Sequence, residues 1–229
     1  MSTRRPAPHF KGFDPSGQFT FYQRHLPHWR QPGATYFVTF RLADSLPQIV
    51  MDYIGRMRQE IIRLGSHPSA NDLRHQYEQA AARRYEGSLD EGHGCCLLRD
   101  EENAKFVHNS LQFGCKERYF LGCSVVMPNH CHIAIRPHDG FELEKVLGSV
   151  KGYTAYQINK RMNLSGEMWQ EESYDRIIRD EEHLYRVIQY IGRNPVQCGL
   201  PSPYLFRWIN PEWKEAGWDF EDSLTGVPP

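Results

Sequence analysis

The sequence predicts an α+β protein: an antiparallel sheet with helices on one face and a mostly helical insertion. Two observations predict it. Apolar, β-rich runs of strand length occur at Ala34–Leu42 and from Arg118 to Ile135. They alternate with segments whose apolar residues recur at steps of three and four, the helical period. At 229 residues the chain can bury a sizeable core, as one domain with an insertion.

Residues 1–32 form a leader rich in Pro, His, Arg and aromatics, in which Arg4, Arg5, Lys11, Arg24 and Arg30 face only Asp14. Such a segment is either a poorly ordered terminus or a surface for unpaired bases and phosphates. The main domain spans 33–200. Its first strand, Ala34–Leu42, follows the Pro32-Gly33 turn signal. Pro47 introduces a helix with Val50, Ile54, Met57, Ile61 and Leu64 on one face, ended by residues 65–70. Residues 71–85 read as a polar helix and 87–94 as a glycine-punctuated loop, so about 65–98 is a surface insertion. Asp100 caps a helix through Ala104, Val107 and Leu111, closed by Gly114. Arg118–Met127 is a strand, Pro128-Asn129 a turn or bulge, and the strand after it begins at His130. A helix over 141–159 buries Leu143, Val146, Leu147 and Val150, and its later part is basic and hydroxyl-rich. Residues 173–179 hold a short strand. Asp180 caps the last helix, whose stripe is Leu184, Val187, Ile188 and Ile191 and which Pro195 stops. The tail, 201–229, with Trp208, Trp213 and Trp218, reads as irregular.

Lys and Arg total 27 against 28 Asp and Glu. That balance argues against coating duplex DNA by bulk charge and leaves a local basic groove open. The six cysteines show no C-x-x-C spacing, and several sit in apolar surroundings, so they read as reduced residues of a cytoplasmic protein. No apolar run reaches membrane-spanning length, and Met1-Ser2-Thr3-Arg4-Arg5-Pro6 lacks a signal peptide's apolar core.

The candidate site begins at Met127-Pro128-Asn129-His130-Cys131-His132-Ile133-Ala134-Ile135. Side chains alternate along a strand, so His130 and His132 share one face and Cys131 takes the other. Two imidazoles on one face make half of a metal site, or a pair of strand histidines bonded to backbone and acids. On the last helix Tyr190 and Asn194 stack four residues apart, to the side of the apolar stripe. Tyr190 could be a ring packed at a helix edge, and Asn194 a stop before Pro195. Chemistry offers a sharper reading. A tyrosine hydroxyl can break a phosphodiester if a cation neutralises charge growing on the non-bridging oxygens. Imidazole with an amide oxygen is a mixed, open ligand set, better suited to Mn²⁺ or heavier ions than to Mg²⁺. Lys151, Lys160 and Arg161 could hold backbone phosphates or form a solvated helix face.

The sequence resembles the REP-associated tyrosine transposases, within the HUH superfamily of single-strand DNA transposases. Met127-Pro128-Asn129-His130-Cys131-His132 is similar to the His-hydrophobic-His motif, with Cys131 in the middle place. Leu26-Pro27-His28-Trp29, Tyr36–Leu42, Trp169-Gln170, Tyr174-Asp175-Arg176 and Tyr190-Ile191-Gly192-Arg193-Asn194-Pro195-Val196 extend the likeness, in order, from about residue 20 to 200. The resemblance implies a ferredoxin-like fold with Tyr190 as nucleophile and His130, His132 and Asn194 as ligands of a divalent metal, Mg²⁺ or Mn²⁺. It implies cleavage of single-stranded DNA beside hairpins, giving a 5′-phosphotyrosine and a free 3′-hydroxyl that rejoins strands without ATP. The working unit would be a monomer or a homodimer, with the site formed within one chain or between two. The alternatives are a domesticated protein that binds structured single-stranded DNA or RNA without cutting, and a zinc hydrolase built on the histidines.

Overall fold

A computed structural model describes residues 4–23, 27–64, 71–200, 204 and 206–221. The strands are β1 (Thr20–Gln23), β2 (Pro27–Arg30), β3 (Tyr36–Arg41), β4 (Tyr119–Val126), β5 (His130–Pro137), β6 (Tyr174–Ile177) and β7 (Arg207–Ile209). The helices are α1 (Gln48–Leu64), α2 (Asn71–Asp90), α3 (Glu101–Phe113), α4 (Leu143–Met162), α5 (Glu181–Gln197) and α6 (Pro211–Glu215). β3 to β7 form one antiparallel sheet in the order β6-β3-β5-β4-β7, so the histidine strand β5 lies at its centre. The β6-β3-β5-β4 part, with α3 and α4 as its crossovers, is the ferredoxin-like arrangement. The segment expected to end α1, residues 65–70, lies outside the described residues. No helix among the described residues is long and apolar enough to cross a membrane.

Strand alternation divides the core in two. Val38, Phe40, Cys131 and Ile133 pack with Ala104, Val107 and Leu111 of α3 and Val146, Leu147 and Val150 of α4. Phe37, Ala134, Cys123 and Val125 point the other way and pack with Leu184, Val187, Ile188 and Ile191 of α5. The two crossover helices thus share a face as expected, whereas α5, appended after the last crossover strand, covers the opposite face. His130 and His132 lie on the α5 face.

Pro195 does not stop α5, which runs on to Gln197. The four stripe residues are fully buried, and each is worth roughly 1.5–3 kcal/mol on burial. Together they outweigh the ~3 kcal/mol that an interior proline costs a helix. The Arg207 guanidinium also donates to the Gly192 carbonyl at 2.8 Å. Asp180 caps α5 as predicted, accepting from the His183 amide at 2.7 Å, and Asp100 caps α3.

The leader is folded where it is described. β1 and β2 pair as a hairpin. Asp175 of β6 fixes it, bonding His28 Nδ1 at 2.6 Å and Arg30 at 2.5 Å. Glu144 of α4 takes Arg30 Nε at 2.6 Å and the Tyr22 hydroxyl. Although burial pulls the other way, Asp175 and Glu172 hold the His28 pKa above its ordinary value. Phe19, Phe21 and Trp29 remain exposed as a ring cluster on the outer surface. Further along, Trp218 donates to the Arg5 carbonyl, Trp213 to the Pro8 carbonyl, and the Arg5 amide to the Ala216 carbonyl.

Within the tail, residues 206–221 are therefore structural and include β7 and α6. β4 bulges between Leu121 and Cys123, and Gly122 at the bulge leaves room for the Trp213 ring. A Cβ there would stand 2.1 Å from that ring. Residues beyond α6 brace α5: Gln189 donates to the Asp219 carbonyl and accepts from the Glu221 amide, both at 2.8 Å.

Candidate metal centre and active site

The β-register places Arg41 opposite His130 and Thr39 opposite His132. His130 Nδ1 lies 2.7 Å from Asn129 Oδ1, and His132 Nδ1 lies 2.7 Å from Thr39 Oγ1. Each ring can therefore spend its Nδ1 hydrogen on an oxygen and direct a bare Nε2 into the site, the arrangement metal-binding histidines use. The two Nε2 atoms are 3.0 Å apart. Two nitrogens at about 2.1 Å from one cation, roughly at right angles, have that separation. Burial holds both rings neutral, lowering the His130 pKa to about 3 and that of His132 well below the usual value. Neutral imidazole is the form that ligates.

α5 lays Tyr190 and Asn194 over this pair. The Tyr190 hydroxyl is 3.4 Å from His132 Nε2. Its ring meets Phe37 edge-on, and Phe37 in turn stacks on His132. Burial, with Glu86 and Asp90 adding to it, raises the Tyr190 pKa well above that of free tyrosine. Asn194 is fully buried, and its Oδ1 has no hydrogen-bond partner. An orphaned amide oxygen beside two converging imidazoles suits a divalent cation. The three predicted ligands and the tyrosine thus meet within a single chain.

The structure also brings in a residue that the sequence did not point to. α2 continues past Gly87 to Asp90, whose Oδ1 lies 4.0 Å from His130 Nε2 and accepts from Asn194 Nδ2 at 3.2 Å. Ligand atoms of Asp90, His130 and His132 all lie within 4.8 Å of one another. Burial raises the Asp90 pKa to about 6. A groove lined by Asp90, Arg99, Pro128, Asn129 and Cys198 reaches His130. The polar, glycine-bearing sequence of 71–94 gave no sign of this; only the i, i+4 spacing of Glu86 and Asp90 hinted at a shared acidic face.

The basic residues of α4 are elsewhere, since α4 packs on the opposite face of the sheet. Lys151 donates to the carbonyls of Gln170 and Glu171, both at 3.0 Å, and burial lowers its pKa to about 8. Arg161 bonds Asp100 and Asn103. Lys160 is exposed and sits over the Tyr156 ring. Cys131, in the middle of the histidine pair, points into the α4 core and is fully buried.

Glu86 is buried one turn before Asp90, its Oε1 4.0 Å from Arg176 Nη2 and without a hydrogen bond. Burial pushes its pKa up to about 7, against the pull of Arg176. A carboxyl whose folded pKa exceeds its unfolded value binds its proton more tightly when folded. Its contribution is therefore complete below about pH 4.5 and is lost as pH rises through about 7. Glu86→Gln, neutral throughout, should be more stable than the wild type at pH 8 by roughly 2–3 kcal/mol. At pH 4 the difference should vanish. Urea unfolding at the two pH values measures it.

Residues 99–194 match the family model described as "Transposase IS200 like". No curated protein matches the chain. Among solved structures, a REP-associated tyrosine transposase bound to a REP hairpin is 17% identical, with 90% of this chain and 93% of that one covered and a TM-score of 0.43.

Proposed function

We propose, from the match of residues 99–194 to the IS200-like transposases, that this protein is a metal-dependent nickase and strand transferase. It cuts and rejoins single-stranded DNA beside hairpins through a 5′-phosphotyrosine at Tyr190. The observation that carries this reading is the Tyr190 hydroxyl 3.4 Å from His132 Nε2, where both imidazoles converge. That contact sets the phenol oxygen beside the ring nitrogens that would hold the cation.

His130, His132 and Asn194 would hold Mg²⁺ or Mn²⁺, which when bound offsets the charge growing on the non-bridging phosphate oxygens. The Tyr190 oxygen attacks phosphorus, the bond to the 3′-oxygen breaks, and that oxygen leaves as a hydroxyl. The phosphotyrosine retains the bond energy, so a second 3′-hydroxyl can displace Tyr190 and seal a strand. Burial raises the Tyr190 pKa, so the phenol gives up its proton in the course of the attack, and the departing 3′-oxygen takes one up. Lys151, Lys160 and Arg161 on α4 would hold backbone phosphates remote from the cut. The exposed rings of Phe19, Phe21 and Trp29 suit stacking on unpaired bases.

The test incubates the protein with single-stranded oligonucleotides covering hairpin repeats that flank its own gene, with Mn²⁺, Mg²⁺ or chelator. A denaturing gel should show a metal-dependent protein–DNA band, reduced at least about 100-fold by chelator. DNA retarded on a native gel with no covalent band under any condition would sink the nickase reading and leave a binding protein.

A further inference from the structure

We propose that Asp90, delivered by the α1–α2 insertion, is a fourth ligand of the cation held by His130, His132 and Asn194. The inference rests on the metal-dependent reading above and adds to it a function for the insertion.

Three independent features hold this carboxylate at the histidines. Leu89 is buried with Leu46, Val50, Ile54 and Tyr85, which locks the last turn of α2 against α1. Past α2 the chain is tied to the β4–β5 turn: Asn129 Nδ2 donates to the His93 carbonyl at 3.0 Å, and the Leu98 amide to the Pro128 carbonyl at 3.0 Å. Asn129 is also the acceptor for His130 Nδ1, so one side chain orients a ligand ring and anchors the insertion. Asn194, finally, spends its Nδ2 on Asp90 Oδ1, which leaves Asn194 Oδ1 as the buried oxygen without a partner.

The chemistry of the set changes with Asp90. Two neutral imidazoles and an amide oxygen carry no charge, and such a site holds a hard dication weakly. Asp90 supplies one negative charge and makes the set two nitrogens and two oxygens, a mixture that suits Mn²⁺. Octahedral coordination would still leave two positions for phosphate oxygen or water. The neighbouring acid Glu91 does not compete, since it pairs with His93 at the surface.

Mn²⁺ titration of the DNA-free protein, followed by calorimetry or by electron paramagnetic resonance of the free ion, tests the assignment without requiring activity. Asp90→Ala should weaken Mn²⁺ binding at least about 10-fold, as should His132→Ala, while Glu91→Ala should leave it unchanged. If Asp90→Ala loses its helical circular dichroism, the near-isosteric Asp90→Asn decides by the same criterion. Mn²⁺ affinity within twofold of wild type in a folded Asp90 variant overturns the proposal while the three-ligand site stands. Absence of Mn²⁺ binding by the wild type overturns the metal site altogether.

Discussion

Tyr190→Phe is expected to give no covalent protein–DNA product, a fall of at least about 1,000-fold, with hairpin binding and stability close to wild type. The two halves of that result have separate causes. The oxygen is the atom that would attack phosphorus, and the other tyrosine of α5, Tyr185, has its ring beneath the Arg4 guanidinium. The ring makes the packing contacts with Phe37 and His132, and phenylalanine keeps them. The hydroxyl's contact with His132 Nε2, at 3.4 Å, is long for an O–H···N bond, so its loss should cost the fold less than about 1 kcal/mol. Adduct yield on a denaturing gel, retardation on a native gel and thermal melting separate the effects. An undiminished adduct would move the nucleophile to another tyrosine, and Tyr153 and Tyr156 are exposed on α4.

Trp213→Ala should produce the largest loss of stability, about 3–5 kcal/mol. The indole is wholly buried, closes over the Gly122 bulge, packs on Phe120 and donates to the Pro8 carbonyl at 2.7 Å. Truncation leaves a cavity between the sheet and α6 and strands that carbonyl. For a chain of this length the melting temperature should drop by roughly 10 °C, readable by calorimetry. Gly122→Ala probes the same contact from the other side, because its methyl would enter the space of the ring. A drop below about 2 °C for Trp213→Ala would mean that the tail does not hold the sheet.

Much of this was legible in the chain because it is local. The alternation that puts His130 and His132 on one face, the Asp180 cap and the four-residue step from Tyr190 to Asn194 need only strand and helix geometry. What escaped depends on tertiary packing. Asp90 lies 40 residues before His130 in a polar helix, and no period along the sequence says that α2 folds back to the centre. Thr39 as the partner of His132 requires the β3–β5 register. Pro195 carried a correct local signal that the burial of α5 overrode. The tail showed three tryptophans without periodicity, and Trp213 makes sense only once Gly122 is beside it.

The seam between residues 5–8 and 213–218 bears on when the protein becomes competent. Its indole bonds join positions 205 and 213 residues apart, so closing it demands a large loss of loop entropy and places it late in folding. At ribosomal rates of about 5–20 residues per second, residues 213–221 emerge only after most of the domain has been made. Until they do, α5 lacks the brace at Gln189, one residue before Tyr190. A nascent chain can fold its histidine hairpin early, yet Tyr190 is fixed over those rings only once residues 213–221 have joined the fold. Chains that lack residues 213–221 would keep the paired histidines but hold Tyr190 loosely over them.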